Sequence, residues 1–413
     1  MRILSGGAAT AKVRKIAARG SRYAEVEPVV RRIIADVRRQ GDRALRRYAE
    51  RWDGLRTQEA FQVSVEEIRT AWKSAKPELK ASMRRAAVNI RRFCEWQKPA
   101  EWMRTRNGMS IGQIVRPLDS VGCYVPGGRY PLVSTLLMTV IPAQVAGVPN
   151  IRVASPQPRA EVLAAAGMLG VREVYRIGGA QAIAALAYGT QNIGRVDKIV
   201  GPGNLYVTAA KKLVSFDCAI DFLAGPTEVV VVSDIGKPEF IAADLVAQAE
   251  HDPEALAVFI TTRDDLARRV TRAVGKLSRR NSLARQALLR NGVILVSGSR
   301  LQSFEWANEL AAEHLTVDAA GVTLVRNAGS VFVGNYSPQA AGDYASGPNH
   351  VLPTGGAARF RGGLSVLDFV KLVSVQRLSR SGLKGIGPVV ESLANAEGLR
   401  AHAESIRARV GHA

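Results

Sequence analysis

The sequence predicts an α/β protein in which helices cover two parallel β-sheets. From about residue 118 onward, short segments rich in β-branched residues alternate with alanine- and leucine-rich segments, a pattern typical of βα units. The chain has 413 residues, more than one hydrophobic core usually organises, so two sheets fit the length better than one. The beginning of the chain differs, because its apolar residues recur mostly at helical spacing.

Helices are predicted throughout the first part of the chain. Residues 25–50 place Val30, Ile33 and Val37 on one helical face. A second helix is predicted to begin at Ser64, where Ser64-Val65-Glu66-Glu67 fits a capping box, and residues 79–95 form a third.

The alternating part of the chain predicts eight strands with helices between them. The predicted strands are Ser120–Val125, Ile151–Ala154, Val174–Ile177, Lys198–Val200, Val229–Ser233, Val258–Thr261, Val293–Val296 and Ser330–Val333. The predicted helices are 134–146, 160–168, 180–187, 207–214, 238–250 and 264–277. After residue 365 the pattern is helical again, with breaks at Gly382, Gly385 and Gly387, and a last helix is predicted from about 388 to 410.

Composition predicts a globular chain without a membrane-spanning segment. Hydrophobic residues make up 47% and charged residues 23%, and no run of about 18 uncharged apolar residues occurs. The N-terminus lacks the apolar stretch of a secretory signal. Cys94, Cys123 and Cys218 are too few and too scattered for a disulfide framework or a cysteine zinc cluster. We therefore expect the protein to be located in the reducing cytoplasm.

The net charge of +21 raises the question of nucleic-acid binding. The basic residues are spread along helical stretches such as 31–47 and 268–279, and no aromatic residues are interleaved with them as a motif. This distribution favours a basic host proteome or anionic ligands over a dedicated nucleic-acid function. We therefore expect neither a nucleic-acid nor a membrane partner.

Glycine-rich turns follow several predicted strands. Glycine lets backbone N–H groups approach a phosphate, and ligands of open α/β sheets bind beyond the carboxyl ends of strands. The turns therefore indicate a nucleotide site, although glycine and proline also end strands that bind nothing. The third glycine of a G-x-G-x-x-G fingerprint is replaced by Tyr206, so the standard dinucleotide motif is absent. The turns are 125–128, 178–181, 201–204 and 224–227.

Gln248 and His251 lie about one helical turn apart near the end of a predicted helix, and their side chains could share a ligand. An amide oxygen and an imidazole suit Zn²⁺, Mn²⁺ or similar ions. Asp343 and His402 are candidates for the remaining donors, but spacing alone does not select them. A single histidine at any of these positions could equally be a hydrogen-bonded surface residue.

Glu313 and His314 are adjacent in the chain. At a strand end or a turn, both side chains could face one substrate, where the carboxylate activates water and the imidazole carries protons near neutral pH. The alternative is a histidine at a helix end beside a solvated glutamate.

The motifs together resemble the histidinol dehydrogenase family, from about residue 25 to 405. They are long, ordered and specific. The segments are VGCYVPGG at 121–128, GGAQAIAALAYGT at 178–190, VDKIVGPGNLYVTAAKK at 196–212, AGPTEVVVVSD at 224–234, DLVAQAEHDP at 244–253, AAEHLTV at 311–317, AGSVFVGNYSPQAAGDYASGPNHVLPT at 328–354 and EGLRAH at 397–402.

The resemblance implies a zinc-dependent oxidation of L-histidinol to L-histidine through L-histidinal, with two NAD⁺, as the last step of histidine biosynthesis. It implies that Glu313 and His314 are the catalytic acid/base pair, and that Tyr124, Gln181 and Asn204 contact NAD⁺. The implied zinc ligands are Gln248, His251, Asp343 and His402. The implied substrate contacts are Thr227, Gln248, His251, His314, Asp343, His350, Glu397 and His402.

The resemblance also implies an architecture similar to aldehyde dehydrogenases: two incomplete Rossmann-like domains with parallel sheets, small helical terminal segments, and a domain-swapped homodimer whose tail reaches the partner's site. Folding of the tail onto its own chain is the alternative. The predicted regions are a first α/β domain over 20–123 and 228–364, an NAD-binding domain over 124–227, a dimerisation segment over 1–19 and 365–390, and a tail over 391–413.

The sequence departs from the family pattern at three places. Arg361 stands where many relatives have a small residue, and contact with substrate or with a partner is left open for it. The other two departures bear on the substrate: Thr227 stands where the family often has serine, and Arg129 and Tyr130 follow Gly127-Gly128 where small residues are common. An enzyme for another small amino- or sulfo-alcohol is therefore a second hypothesis. A basic RNA-binding protein without catalysis is a third, which the intact metal and acid/base positions disfavour.

Overall fold

The computed structural model describes residues 1–19, 23–127 and 131–410. Within these ranges the chain forms fourteen strands and sixteen α-helices. The strands are β1 Arg2–Ser5, β2 Trp102–Arg106, β3 Met109–Pro117, β4 Ser120–Tyr124, β5 Asn150–Ala154, β6 Glu173–Tyr175, β7 Lys198–Val200, β8 Ala219–Ile220, β9 Glu228–Val232, β10 Leu256–Thr261, β11 Gly292–Val296, β12 His314–Val317, β13 Ser330–Val333 and β14 Val370–Leu378. The helices are α1 Gly6–Ala17, α2 Tyr23–Gln40, α3 Asp42–Trp52, α4 Val65–Ser74, α5 Pro77–Gln97, α6 Val133–Ala146, α7 Ala160–Met168, α8 Gly179–Tyr188, α9 Leu205–Val214, α10 Pro238–Ala249, α11 Asp264–Leu277, α12 Ser282–Asn291, α13 Arg300–Leu310, α14 Gln339–Tyr344, α15 Arg380–Ala396 and α16 Arg400–Val410.

A six-stranded parallel sheet has the order β1-β11-β10-β9-β12-β13. Its central strands read as continuous apolar runs because both faces are buried. Val230 and Val258 pack with α1 and α13, whereas Val229 and Phe259 pack with α10, α11 and α12. This alternation explains why one sheet supports two separate layers of helices.

A five-stranded parallel sheet has the order β6-β5-β4-β7-β8. The apolar stripe of α2, with Val30 and Ile33, packs on α8 and α9 against one face. Helices α4, α5, α6 and α7 cover the other face. The prediction of two parallel sheets covered by helices is therefore confirmed.

A third sheet was not predicted. Strands β2, β3 and β14 form an antiparallel sheet in the order β14-β3-β2. All of β2 is exposed and most of β14 is exposed, so neither strand shows a buried apolar run. The helical pattern predicted after residue 365 is wrong for 370–378, and α15 runs through Gly382, Gly385 and Gly387 without a break.

All eight predicted strands and all six predicted helices of the alternating region occur, with ends shifted by one to two residues in most cases. Ser64 caps α4 by accepting a hydrogen bond from the Glu67 N–H at 3.1 Å. The helix predicted over 25–50 is two helices, because Gly41 has φ +53° between α2 and α3. The last predicted helix is likewise divided, because Gly398 has φ +76° between α15 and α16. Both angles lie in the left-handed region that favours glycine.

The chain is divided between the sheets differently from the predicted regions. Strand β1, expected in a dimerisation segment, pairs with β11 at the edge of the six-stranded sheet. Helices α2 and α3, expected in the first domain, pack on the five-stranded sheet, and β4 is its central strand. The apolar faces of these helices complement those of α8 and α9, a match that sequence periodicity does not reveal. No helix in the described part of the chain is long and apolar enough to cross a membrane.

Lys211 of α9 and Asp221, which follows β8, form a buried ion pair beside the end of β7. The side chain of Lys211 is 2% exposed, and its Nζ donates to the carbonyl oxygen of Gly201 at 2.9 Å and pairs with Asp221. The Asp221 carboxylate also accepts the N–H groups of Gly201 at 2.8 Å and Phe222 at 2.6 Å. This network fixes the turn that leads to Asn204.

We predict that Lys211→Met lowers the free energy of unfolding by about 3 kcal/mol, because it leaves a buried carboxylate unpaired. Lys212→Met is the matched control. Lys212 also pairs with a carboxylate, Glu27, but its side chain is 47% exposed. Urea denaturation followed by circular dichroism measures both variants. Equal shifts of the two transitions would contradict this assignment.

Candidate active site

The pairing of β9 with β12 brings the predicted catalytic residues together. His314 is the first residue of β12 and lies opposite Val229 of β9. Thr227 and Glu228 therefore stand beside Glu313 and His314 at the amino ends of the two strands. The expectation that ligand groups follow the carboxyl ends of strands does not hold for this sheet.

Glu313 is held by two hydrogen bonds. Its Oε2 accepts from Thr227 Oγ1 at 2.6 Å and from the Glu228 N–H at 2.9 Å, and the residue is 8% exposed. The side chain is thus fixed in orientation while it keeps the lone pairs needed to take a proton from water.

His314 is 3% exposed and lies between acidic and backbone acceptors. Its Nδ1 is 3.2 Å from the Glu228 carbonyl oxygen, and its Nε2 is 3.2 Å from Asp343 Oδ1. Burial alone would lower the pKa of this imidazole, but the charges and hydrogen bonds of Glu313 and Asp343 raise it to about 10. While both carboxylates face it, His314 carries a proton at neutral pH. A group that draws Asp343 away frees Nε2 to act as a base.

Gln248 reaches the same cluster from the end of α10. Its amide Nε2 lies 3.2 Å from His314 Nδ1, and its Oε1 lies 3.5 Å from Thr227 Oγ1. His251 follows in the turn after α10, where it is exposed. Gln248 therefore lies within a cluster formed with Thr227, Glu313, His314 and Asp343, and His251 lies at the edge of this cluster.

Asp343 lies in the short helix α14. Burial would raise its pKa, but the hydrogen bond from His314 and the charges of His314, His350 and His251 hold the pKa below its usual range. His350 Nδ1 is 2.6 Å from the Asp343 carbonyl oxygen. The carboxylate of Asp343 is thus surrounded by three of the predicted histidines.

The remaining predicted residues, Glu397 and His402, are exposed on the tail, where α16 packs against α15. Within the described residues of this one chain, no three His, Cys, Asp or Glu side chains are placed to hold a metal ion. Gln248, His251 and Asp343 offer an amide oxygen, an imidazole and a carboxylate, a donor set that fits zinc but lacks one ligand. The single chain therefore does not bring His402 to the other three.

The predicted cofactor residues line one cavity of about 580 Å³ at the carboxyl ends of the five-stranded sheet. Tyr124 ends β4, Gln181 lies in the first turn of α8, and Asn204 caps α9 through hydrogen bonds from the N–H groups of Tyr206 and Val207, each at 3.1 Å. These three residues lie together as expected, and their contact with NAD⁺ stays a prediction.

The glycine-rich turns were expected to offer backbone N–H groups to a phosphate, but several of these groups already donate hydrogen bonds within the protein. The N–H groups of Gly178 and Gly179 donate to Asp53 and to the Tyr124 hydroxyl. Those of Gly201 and Gly225 donate to Asp221 and Thr354. These four N–H groups therefore have hydrogen-bond acceptors within the protein.

Two residues near these sites were missed by sequence reasoning. Asp53 has no motif around it, and its partner Gly178 is far away in sequence. Glu228 was noted only as part of the motif segment 224–234, yet its backbone contacts both Glu313 and His314. Arg361, whose contacts the sequence left open, lies 4.3 Å from the ring centre of Phe222 and donates to the Asp221 carbonyl oxygen.

Known proteins resemble this chain in sequence and in fold. A profile of histidinol dehydrogenases matches residues 17–410. The chain belongs to the histidinol dehydrogenase family. A histidinol dehydrogenase of Methanothermobacter thermautotrophicus is 50% identical over 392 residues, which cover 92% of each chain. One from Methanosarcina mazei is 45% identical over 97% of this chain and 96% of the relative.

The crystal structure of histidinol dehydrogenase from Elizabethkingia anophelis superposes with a TM-score of 0.94 at 36% identity, over 99% of this chain and 98% of that one. The predicted family and α/β fold class are therefore confirmed. Among the departures, Thr227 lies within the cluster, whereas Gly128, Arg129 and Tyr130 lie outside the described residues.

Proposed function

We propose that the protein oxidises L-histidinol to L-histidine through L-histidinal, with two NAD⁺ and one zinc ion per site, as the last step of histidine biosynthesis in the cytoplasm. Membership of the histidinol dehydrogenase family supports the proposal. The observation that carries it is the buried Glu313–His314 pair, held against Thr227, Gln248 and Asp343.

Gln248, His251 and Asp343 would hold the zinc ion, with His402 as the fourth ligand. Bound zinc anchors and orients the imidazole and amine of the substrate. Thr227 and His350 border this cluster and are proposed to contact the substrate, and Glu397 offers a negative charge for its ammonium group. NAD⁺ accepts a hydride in each oxidation, and Tyr124, Gln181 and Asn204 are proposed to contact it.

His314 is the proposed base of the first oxidation. The carbonyl oxygen of Glu228 favours a proton on Nδ1, so Nε2 carries the lone pair once Asp343 is engaged elsewhere. Nε2 then takes the hydroxyl proton of the alcohol as hydride leaves the carbon for the nicotinamide, and the aldehyde forms.

Glu313 is the proposed base of the second oxidation. It takes a proton from water as the oxygen adds to the aldehyde carbon, while the carbonyl oxygen takes up the proton that His314 Nε2 gained in the first oxidation, and a hydrate forms. The hydrate then loses a hydride to a second NAD⁺ and a hydroxyl proton to His314 Nε2, which leaves the carboxylic acid. Thr227 and the Glu228 N–H keep the Glu313 carboxylate oriented toward that water.

We propose that a second copy of the chain completes the site as a domain-swapped homodimer. The exposed positions of Glu397 and His402 support this, because neither residue belongs to the cluster of its own chain. The antiparallel sheet and α15 also expose large apolar side chains, as expected of an interface. These include Trp102, Met103, Leu372, Val389 and Leu393.

A second candidate is oxidation of another small amino- or sulfo-alcohol. The observation that favours it is Thr227, which donates to Glu313 through Oγ1 and carries a methyl group that a family serine lacks.

We predict that zinc-loaded protein at mildly alkaline pH forms NADH from L-histidinol with a kcat/KM on the order of 100-fold above that for 2,3-dihydroxypropane-1-sulfonate, because the site is built for an imidazole and an ammonium group. NADH absorbance measures both rates. Thr227→Ser is the control for the methyl group. Turnover of the sulfonate without turnover of L-histidinol would reject the proposed substrate.

Glu313→Gln is predicted to slow the oxidation of L-histidinal about 100-fold or more while slowing the first oxidation much less, because only the second step activates water. Separate assays with L-histidinol and L-histidinal measure the two steps. Glu305→Gln, exposed on α13, is the matched control. A normal rate of histidine formation by Glu313→Gln would show that the carboxylate has another role.

A further inference from the structure

Asp53 is a buried carboxylate at the wall of the cavity that contains Tyr124, Gln181 and Asn204. The residue follows α3 and is 6% exposed. One oxygen, Oδ2, accepts both the Gly178 N–H and the Gln181 Nε2, each at 3.0 Å. Burial raises the pKa of this carboxyl, and the two hydrogen bonds oppose that rise. Because burial of a charged group costs free energy unless it is hydrogen-bonded, the Asp53 carboxylate depends on both donors.

The first of these bonds occupies the beginning of α8. Gly178 is the N-cap of this helix, and the next N–H, of Gly179, donates to the Tyr124 hydroxyl at 3.1 Å. A helix N-terminus attracts anions through such N–H groups. Because Asp53 and Tyr124 already accept them, a dinucleotide diphosphate has no access to these two donors.

The second bond fixes the amide of Gln181. This side chain is itself buried, with the residue 1% exposed. Since one N–H of its NH₂ group donates to Asp53, the orientation of the amide is fixed, and its oxygen is the acceptor that Gln181 can offer to a ligand. The arrangement selects a neutral hydrogen-bond donor of the ligand, such as a hydroxyl or an exocyclic amine.

We propose that Asp53 is a positioning residue for the cofactor: it orients the Gln181 amide so that its oxygen accepts a hydrogen bond from NAD⁺. The inference rests on the proposed NAD⁺ site. It adds to that site a residue that acts through Gln181.

The test is NAD⁺ binding by isothermal titration calorimetry with the full chain loaded with zinc. We expect Asp53→Ala and Gln181→Ala each to weaken binding about tenfold, because each removes one side of a charge-assisted hydrogen bond. The double variant should bind as weakly as Gln181→Ala alone, because Asp53 acts through that side chain. Asp53→Asn should stay within about threefold of the parent chain, since an amide oxygen at the same place still accepts both N–H groups.

The kinetic readout separates positioning from general damage. At saturating NAD⁺, Asp53→Ala should keep the parent kcat and the parent KM for L-histidinol, with only the KM for NAD⁺ raised. If Asp53→Ala does not fold, Asp53→Glu carries the same test, because its longer side chain cannot keep both bonds at 3.0 Å.

Unchanged NAD⁺ binding in Asp53→Ala would overturn the inference. Multiplicative effects of Asp53→Ala and Gln181→Ala would also overturn it, since they would mean that Asp53 acts independently of Gln181. Absence of NAD⁺ binding by the parent chain would instead refute the proposed function, so the two failures are distinguishable.

Discussion

The parallel pairing of β9 with β12 is the constraint on which the site depends. It sets His314 opposite Val229, so that the backbone of Glu228 meets both Glu313 and His314. A one-residue slip would turn each of these side chains to the other face of the sheet. The buried valines of β9, which fill both faces of the sheet, hold that register. Core packing and acid/base geometry thus come from the same pairing.

The two sheets contribute in different ways. The six-stranded sheet presents its reactive groups at the amino ends of strands, and the five-stranded sheet presents its cavity at the carboxyl ends. At the five-stranded sheet, carboxylates already accept the backbone N–H groups that a ligand might otherwise use. Asp53 closes the beginning of α8, and Asp221 closes the turn at Gly201. We therefore expect ligand recognition to depend on a few oriented side chains.

Sequence reasoning succeeded where burial leaves a periodic signal. Residues 229–232 and 256–260 are apolar throughout because parallel strands are covered on both faces. It failed for β2 and β14, which are largely exposed. Asp53 could not be found, because its partners lie 125 and 128 residues away. The four predicted metal ligands were selected by the resemblance to the family's motifs, since one helical turn accounts only for Gln248 and His251.

The central claim is that one chain builds an incomplete site, which the tail of a second copy completes. Co-expression of His251→Ala with His402→Ala under two affinity tags tests it, with zinc content and NADH formation measured on purified hybrid dimers. If the tail is exchanged, one of the two sites in each hybrid has every ligand. The hybrid then has about half of the zinc and activity of the unmodified dimer, whereas a dimer of either single variant has neither. If hybrids that form stably have no zinc and no activity, the tail serves its own chain and the claim is wrong.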